Sequence, residues 1–385
     1  PFDWTATTQQ AKVQASDAQA SDTFGYSVAI GGNTMVVGAY GEDTGGSNAG
    51  AAYVFTRSGT SWSQQAKIQS SDIVTWDFFG YSVAIDGDTL VVGAYAENSI
   101  AGAAYVFTRS GTTWSQQAKL VASDAAANDY FGVSVEIDGD TIVAGANYED
   151  TGGSDAGALY VFTRSGTSWS QQAKLQSSDI QASDSFGYKV RIDGDTIVAT
   201  ANNEDTGGSN AGAAYVFTRS GTSWSQQAKL VASDAAAGDR FGVSAAIDGD
   251  TIVVAAHLED TGGSNAGAAY VFTRSGTSWS QQAKLVASDA AANDYFGFSV
   301  AIDGDTMVAG AWYEDTGATD TGAAYIFTRS GTTWTQAKKL VASDAQAGDN
   351  FGVFVAIDGD TIVAGANNED TGGDNAGAAY TFVAG

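Results

Sequence analysis

Apolar residues along this chain fall in short runs rich in Val, Ile, Tyr and Phe, with polar residues between and Gly or Asp at the breaks. This is the patterning of strands, and no stretch carries the longer period of a helix. One full unit reads Phe79-Gly-Tyr-Ser-Val-Ala-Ile-Asp-Gly-Asp, then Thr89-Leu-Val-Val-Gly-Ala-Tyr, then Gly102-Ala-Ala-Tyr-Val-Phe-Thr-Arg, then Thr113-Trp-Ser-Gln-Gln-Ala-Lys-Leu. These four segments predict strands A, B, C and D. Asp86-Gly87, Asp138-Gly139 and their later copies separate A from B and read as tight hairpin turns that need positive φ.

The unit recurs. Phe24-Gly25, Phe79-Gly80, Phe131-Gly132, Phe186-Gly187, Phe241-Gly242, Phe296-Gly297 and Phe351-Gly352 head seven copies. Seven four-strand repeats predict an all-β fold, a seven-bladed β-propeller of four-stranded antiparallel blades. The chain opens on Trp4-Thr-Ala-Thr-Thr-Gln-Gln-Ala-Lys-Val, a D strand without its blade, and closes on Ala378-Ala-Tyr-Thr-Phe, a C strand without its D. The N-terminal strand is therefore expected to complete the last blade and close the ring. The expected single domain spans 1–385, with blades at 24–68, 79–120, 131–175, 186–230, 241–285, 296–340, and 351–382 together with 2–13.

Charge narrows the function classes. With 44 acidic and 17 basic residues the formal net charge is −27, which argues against binding nucleic acid or an anionic membrane surface. No apolar run approaches the roughly 20 residues of a membrane span, so no membrane insertion is expected. Cysteine is absent, which excludes disulfides and thiolate metal sites.

In an up-and-down blade the D–A and B–C loops share one end. That end receives Asp17, Asp22, Glu42 and Asp43 of the first unit and their copies, and is expected to be strongly negative with almost no local base except Arg240. The opposite end receives the Asp pairs of the A–B turns, offset by Arg57, Arg109, Arg164, Arg219, Arg274 and Arg329. Each Asp of the Asp-x-Phe-Gly segments has two readings: a cap accepting backbone N–H bonds in its own loop, or half of a calcium site shared with the Glu of the B–C loop. The calcium reading pairs Asp22 with Glu42, Asp129 with Glu149, Asp184 with Glu204, Asp239 with Glu259, Asp294 with Glu314 and Asp349 with Glu369. Blade two has a shortened B–C loop, Ala96 to Ala101, and is expected to lack such a site.

Phe-Gly-Tyr-Ser-Val, Val-Val-Gly-Ala and Gly-Ala-Ala-Tyr-Val-Phe resemble the FG-GAP repeat, which builds the seven-bladed head of integrin α subunits and related bacterial surface proteins. The resemblance covers essentially the whole chain. It implies a secreted or cell-surface location and an adhesion role. The proline of the family's Gly-Ala-Pro signature is replaced by Tyr40, Tyr95, Asn147, Asn202, His257, Trp312 and Asn367. The family's calcium loop between the first two strands does not fit here, because Ile85-Asp86-Gly87-Asp88-Thr89 is too short to wrap an ion.

Residues that the fold needs recur, so a single binding site should lie where the repeats differ. Around the loops of the acidic end these are Tyr40, Tyr95, Tyr130, Tyr148, Arg240, His257, Tyr295, Trp312 and Tyr313, a candidate surface for a protein or glycan ligand. Ordinary loop drift filling the funnel is the competing reading. Two other functions stay open: a structural subunit that self-assembles into a surface filament or sheath, and a polysaccharide-acting enzyme using His257. Near-identical Thr-Arg-Ser-Gly-Thr runs also fit a consensus-built scaffold. The repeat tryptophans, Trp62 and its copies, are expected to cover blade edges. Glu136, Lys189 and Arg191, which stand where other units mostly have Ser and Ala, are expected to form an ion pair between blades three and four.

Overall fold

The computed structural model describes residues 2–385. It contains seven four-stranded antiparallel sheets, six of which run A-B-C-D in chain order. In the seventh, Thr8–Val13 pairs with Ala378–Val383, bringing Lys12 opposite Tyr380 and Val13 opposite Ala379. The A strands of successive blades pack on one another around an axis, and that of the last blade packs on that of the first. The ring is therefore closed, as the two incomplete ends required.

Burial follows strand position. Every residue of every B strand is buried, for example Thr34–Ala39, and the first five residues of each C strand are buried as well. The outer D strands alternate exposed and half-buried residues. The core is a set of layers between neighbouring blades. One layer joins Val13, Val363 and Ala379 of the seventh blade to Phe24, Val37 and Tyr53 of the first.

The Phe-Gly pair seals these layers. Phe24 is fully buried, with its ring centroid 5.5 Å from that of Tyr53. Gly25 has φ +94°, and a Cβ there would lie 2.3 Å from the Ala378 carbonyl oxygen of the preceding blade, so only glycine permits the approach. Outer strands are tied to each other by side chains that also guard their edges: Trp114 Nε1 donates to Gln65 Oε1 at 2.8 Å, and the Arg109 guanidinium sits 5.2 Å above the same indole. The tryptophans therefore pack at blade edges. At the A–B end, Arg109 also bonds Asp88 at 2.7 Å and the Thr34 hydroxyl of the preceding blade at 2.9 Å.

Candidate functional site

The D–A and B–C loops meet at one end of the ring. Each Asp of an Asp-x-Phe-Gly segment caps its own loop: Asp22 Oδ2 accepts the Gln19 N–H at 2.7 Å, and Asp129 accepts that of Ala126 at the same distance. Burial raises Asp22 to about 6, only partly opposed by that backbone bond, and Asp349 is raised to about 6 in the same way.

The acids proposed for calcium have a different neighbour. Lys67 Nζ lies 2.7 Å from both Glu42 Oε1 and Asp17 Oδ2, while Gln69 donates to Glu42 Oε2 at 3.0 Å and the Thr44 N–H donates to Oε1 at 2.9 Å. The same lysine bridge joins Lys174 to Glu149 and Asp124, Lys229 to Glu204 and Asp179, and Lys284 to Glu259 and Asp234. It also joins Lys339 to Glu314 and Asp289, and Lys12 to Glu369 and Asp344. An ammonium thus pairs the Glu of each proposed calcium pair with the Ser-Asp acid, Asp17 in the first unit, and not with Asp22. Among the described residues no group of three or more His, Asp or Glu converges as a metal would need. The expectation of an end nearly free of bases is corrected for the same reason: the lysine near the end of each D strand is delivered to the D–A end by the strand direction. Blade two keeps the bridge through Lys119, Asp72 and Glu97 despite its shorter loop.

The aromatic candidates converge. Trp76, Phe78, Tyr95, Tyr130 and Tyr148 form a ladder with successive ring centroids 5.9, 5.4, 5.2 and 4.6 Å apart. Phe78, Tyr95 and Tyr130 are near-parallel, with interplanar angles of 10° and 9°. Tyr40 lies 5.8 Å from Phe78 and 4.6 Å from Tyr26. Through Tyr26, Phe354 and Phe298 the contacts continue to a second group, in which Trp312 stacks on Tyr313 at 3.8 Å and Tyr295 lies 5.4 Å from Tyr313. His257 joins this group, 5.8 Å from Tyr295.

His257 is half-buried in this group. Its Nδ1 is buried without a hydrogen-bond partner, and burial together with Arg240 lowers it to about 4. Among the described residues no carboxylate is hydrogen-bonded to it, and Arg240 instead donates to Asn203 Oδ1.

Sequence reasoning missed the middle of this surface. Tyr26, Tyr81, Tyr188 and Phe298, directly after Phe-Gly, gather with Phe354 over the axis. The signal was present, since that position is aromatic in four units and valine in the other three. Trp76 and Val74, 55% and 57% exposed, were also passed over. Their counterparts in the third unit are Asn128 and Ala126.

The profile of the FG-GAP repeat family matches residues 7–55, 62–107, 114–162, 169–217, 224–272, 279–327 and 334–382. No curated protein matches the chain. Among solved structures it is similar to the crystal structure of the Saccharomyces cerevisiae Sqt1, with a TM-score of 0.52 and 9% identity over 98% of each chain, a likeness of fold alone.

Proposed function

The chain belongs to the FG-GAP repeat family, and on that premise we propose that it is a non-catalytic binding module, secreted or held at the cell surface, that recognises a protein or glycan through the aromatic end of the ring. Trp76 carries this reading. Its φ is 69°, a conformation that suits the Ser21, Asn128, Ser183, Gly238, Asn293 and Gly348 of the other units but not a bulky side chain. Such a residue costs on the order of 1–3 kcal/mol, and at 55% exposure little burial offsets it. Strain retained at an exposed indole, at the head of a ladder of rings, supports a contact surface for a partner.

The non-catalytic part rests on His257, whose imidazole stays neutral at ordinary pH with no acid hydrogen-bonded to it among the described residues. The test is binding to glycan and peptide arrays by the intact protein and by two variants. Trp76→Ser and Tyr148→Ala are expected to weaken the recognised ligand at least about tenfold, and Ser110→Ala at the opposite end to leave it unchanged. Undiminished binding by both aromatic variants would exclude this face.

A further inference from the structure

The A strands enclose an axial channel of about 250 Å³ lined by apolar side chains, among them Ile30, Ile85 and Ile192, and by polar groups that take the larger share of its exposed surface, among them Ser27, Ser82, Ser134, Glu136, Lys189 and Arg191. In five units a serine near the head of the A strand ties its blade to the next, as Ser27 Oγ does by donating to the Gly80 carbonyl at 2.8 Å and Ser134 Oγ by accepting the Val190 N–H at 3.1 Å. The other two units break this ring of serines with Lys189 and Phe354, and the two replacements meet across the axis, the ammonium 5.0 Å from the phenyl centroid.

Arg191, two residues on and so on the same face of its strand, also lines the channel. Its Nε lies 3.6 Å from Glu136 Oε2 of the third blade, and its Nη1 donates to the Val190 carbonyl at 2.8 Å. The expected ion pair between blades three and four is thus made by Arg191, while Lys189 turns to the aromatic rings. Among the described residues no oxygen accepts a hydrogen bond from Lys189 Nζ.

Two cations therefore face one carboxylate in the channel, and a guanidinium does not shed its proton. The channel keeps a surplus positive charge unless the lysine loses its proton or an anion enters. The titratable groups around Lys189 are Arg191 and Tyr188 of its own blade, Glu136 of the third, and Tyr26 and Tyr81 of the first two. Burial, reinforced by Arg191, lowers Lys189 to about 7. Burial raises Glu136 against the opposing pull of Arg191, and it raises all three phenols, which stay neutral.

The two ends of the channel differ. Tyr26, Tyr81, Tyr188, Phe298 and Phe354 close one end, with the Tyr26 and Tyr81 hydroxyls 2.9 Å apart. The other opens through a mouth ringed by Asp86, Asp138, Asp193, Asp248, Asp303 and Asp358. These carboxylates are partly engaged, as Asp86 is by the Gly139 N–H at 2.7 Å, yet their ring disfavours entry of a multiply charged anion.

We propose that the axial channel binds a small organic monoanion, a carboxylate with an apolar body, whose carboxylate is held by Lys189 and Arg191 and whose body lies against the Ile side chains. The site lies beneath the aromatic end and shares Tyr81 and Phe354 with it, but does not include Trp76. Calorimetric titration of the whole chain with benzoate near pH 6 is expected to give one site per chain, weakened at least about tenfold near pH 9, with proton uptake on binding in neutral buffer. Lys189→Met and Arg191→Met should each lose at least about tenfold in affinity, Lys189→Arg should keep binding but lose its dependence on pH in this range, and Trp76→Ser should change nothing. Melting curves identify the variants that are folded, and if Lys189→Met fails that test, Lys189→Arg decides through its pH profile. Absence of binding by the unaltered protein at about 10 mM benzoate near pH 6, or equal affinity in folded Lys189→Met, would overturn the proposal. Inorganic phosphate binding as tightly as benzoate would overturn the assignment to an apolar monoanion.

Discussion

Lys67 Nζ lies 2.7 Å from Glu42 Oε1, and Glu42 is 1% exposed. A buried carboxylate here has its counter-charge inside the protein, supplied by the outer strand of the same blade. Lys67→Met strands Glu42 and is expected to lower stability by about 3 kcal/mol in denaturant melts. Chelator is expected to leave the melting temperature of the unaltered protein where it was. A drop of several degrees on chelation would restore calcium to these loops.

Acidic groups at this end divide by partner. Burial alone would raise Asp17, but hydrogen bonds from Lys67 and Tyr53 outweigh it and hold the carboxyl below its usual range, which contributes stability that is lost as pH falls through the acid range. Asp22 is raised to about 6, so its contribution has the opposite sign: it is fully present below about pH 4 and is lost as pH rises through about 6. Asp22→Asn keeps an oxygen for the Gln19 N–H and is expected to stabilise the protein by about 1 kcal/mol near pH 7, with no gain near pH 4. An equal effect at both pH values in urea melts would show that the carboxyl is not raised.

Trp76→Ser tests strain separately from binding. Placing serine at φ 69°, as the first unit does at Ser21, is expected to raise stability by about 1 kcal/mol while binding at the aromatic end falls. Destabilisation beyond about 1 kcal/mol would mark Trp76 as a packing residue and remove the main support for the binding surface.

Closure of the ring rests on the first strand. Deleting residues 2–13 bares the edge Ala378–Val383 and removes the buried Trp4 from its layer with Tyr380 and Phe382. The truncated protein is expected to melt earlier and to self-associate on size exclusion, and a peptide of residues 2–13 added in excess should reverse both. A monomer of unchanged melting temperature would mean that the clasp is dispensable.

The fold was legible because repetition multiplied a weak strand signal sevenfold and because the incomplete first and last units fitted each other. The Glu136–Arg191 contact was legible for the converse reason, since a charge that breaks a repeat near an axis needs a neighbour. Lys67 and its copies were misjudged because composition shows that a strand is polar without showing to which end its last side chains are carried. Trp76 was hidden by a backbone conformation: its neighbours in sequence look ordinary, and only the positive φ makes an indole there costly. Lys189 and Phe354 are three blades apart, and no local pattern announces that they meet.

Each matched segment, such as 62–107, places its first strand in one blade and its other three in the next. Unequal recombination that added or removed one such segment would leave every remaining junction in kind, since the newcomer would lend an outer strand to its predecessor and borrow one from its successor. A lineage built this way can change its number of blades without passing through a form with an open seam. At the narrow hub Lys189 reaches Phe354, and a wheel with one blade more would draw the two apart.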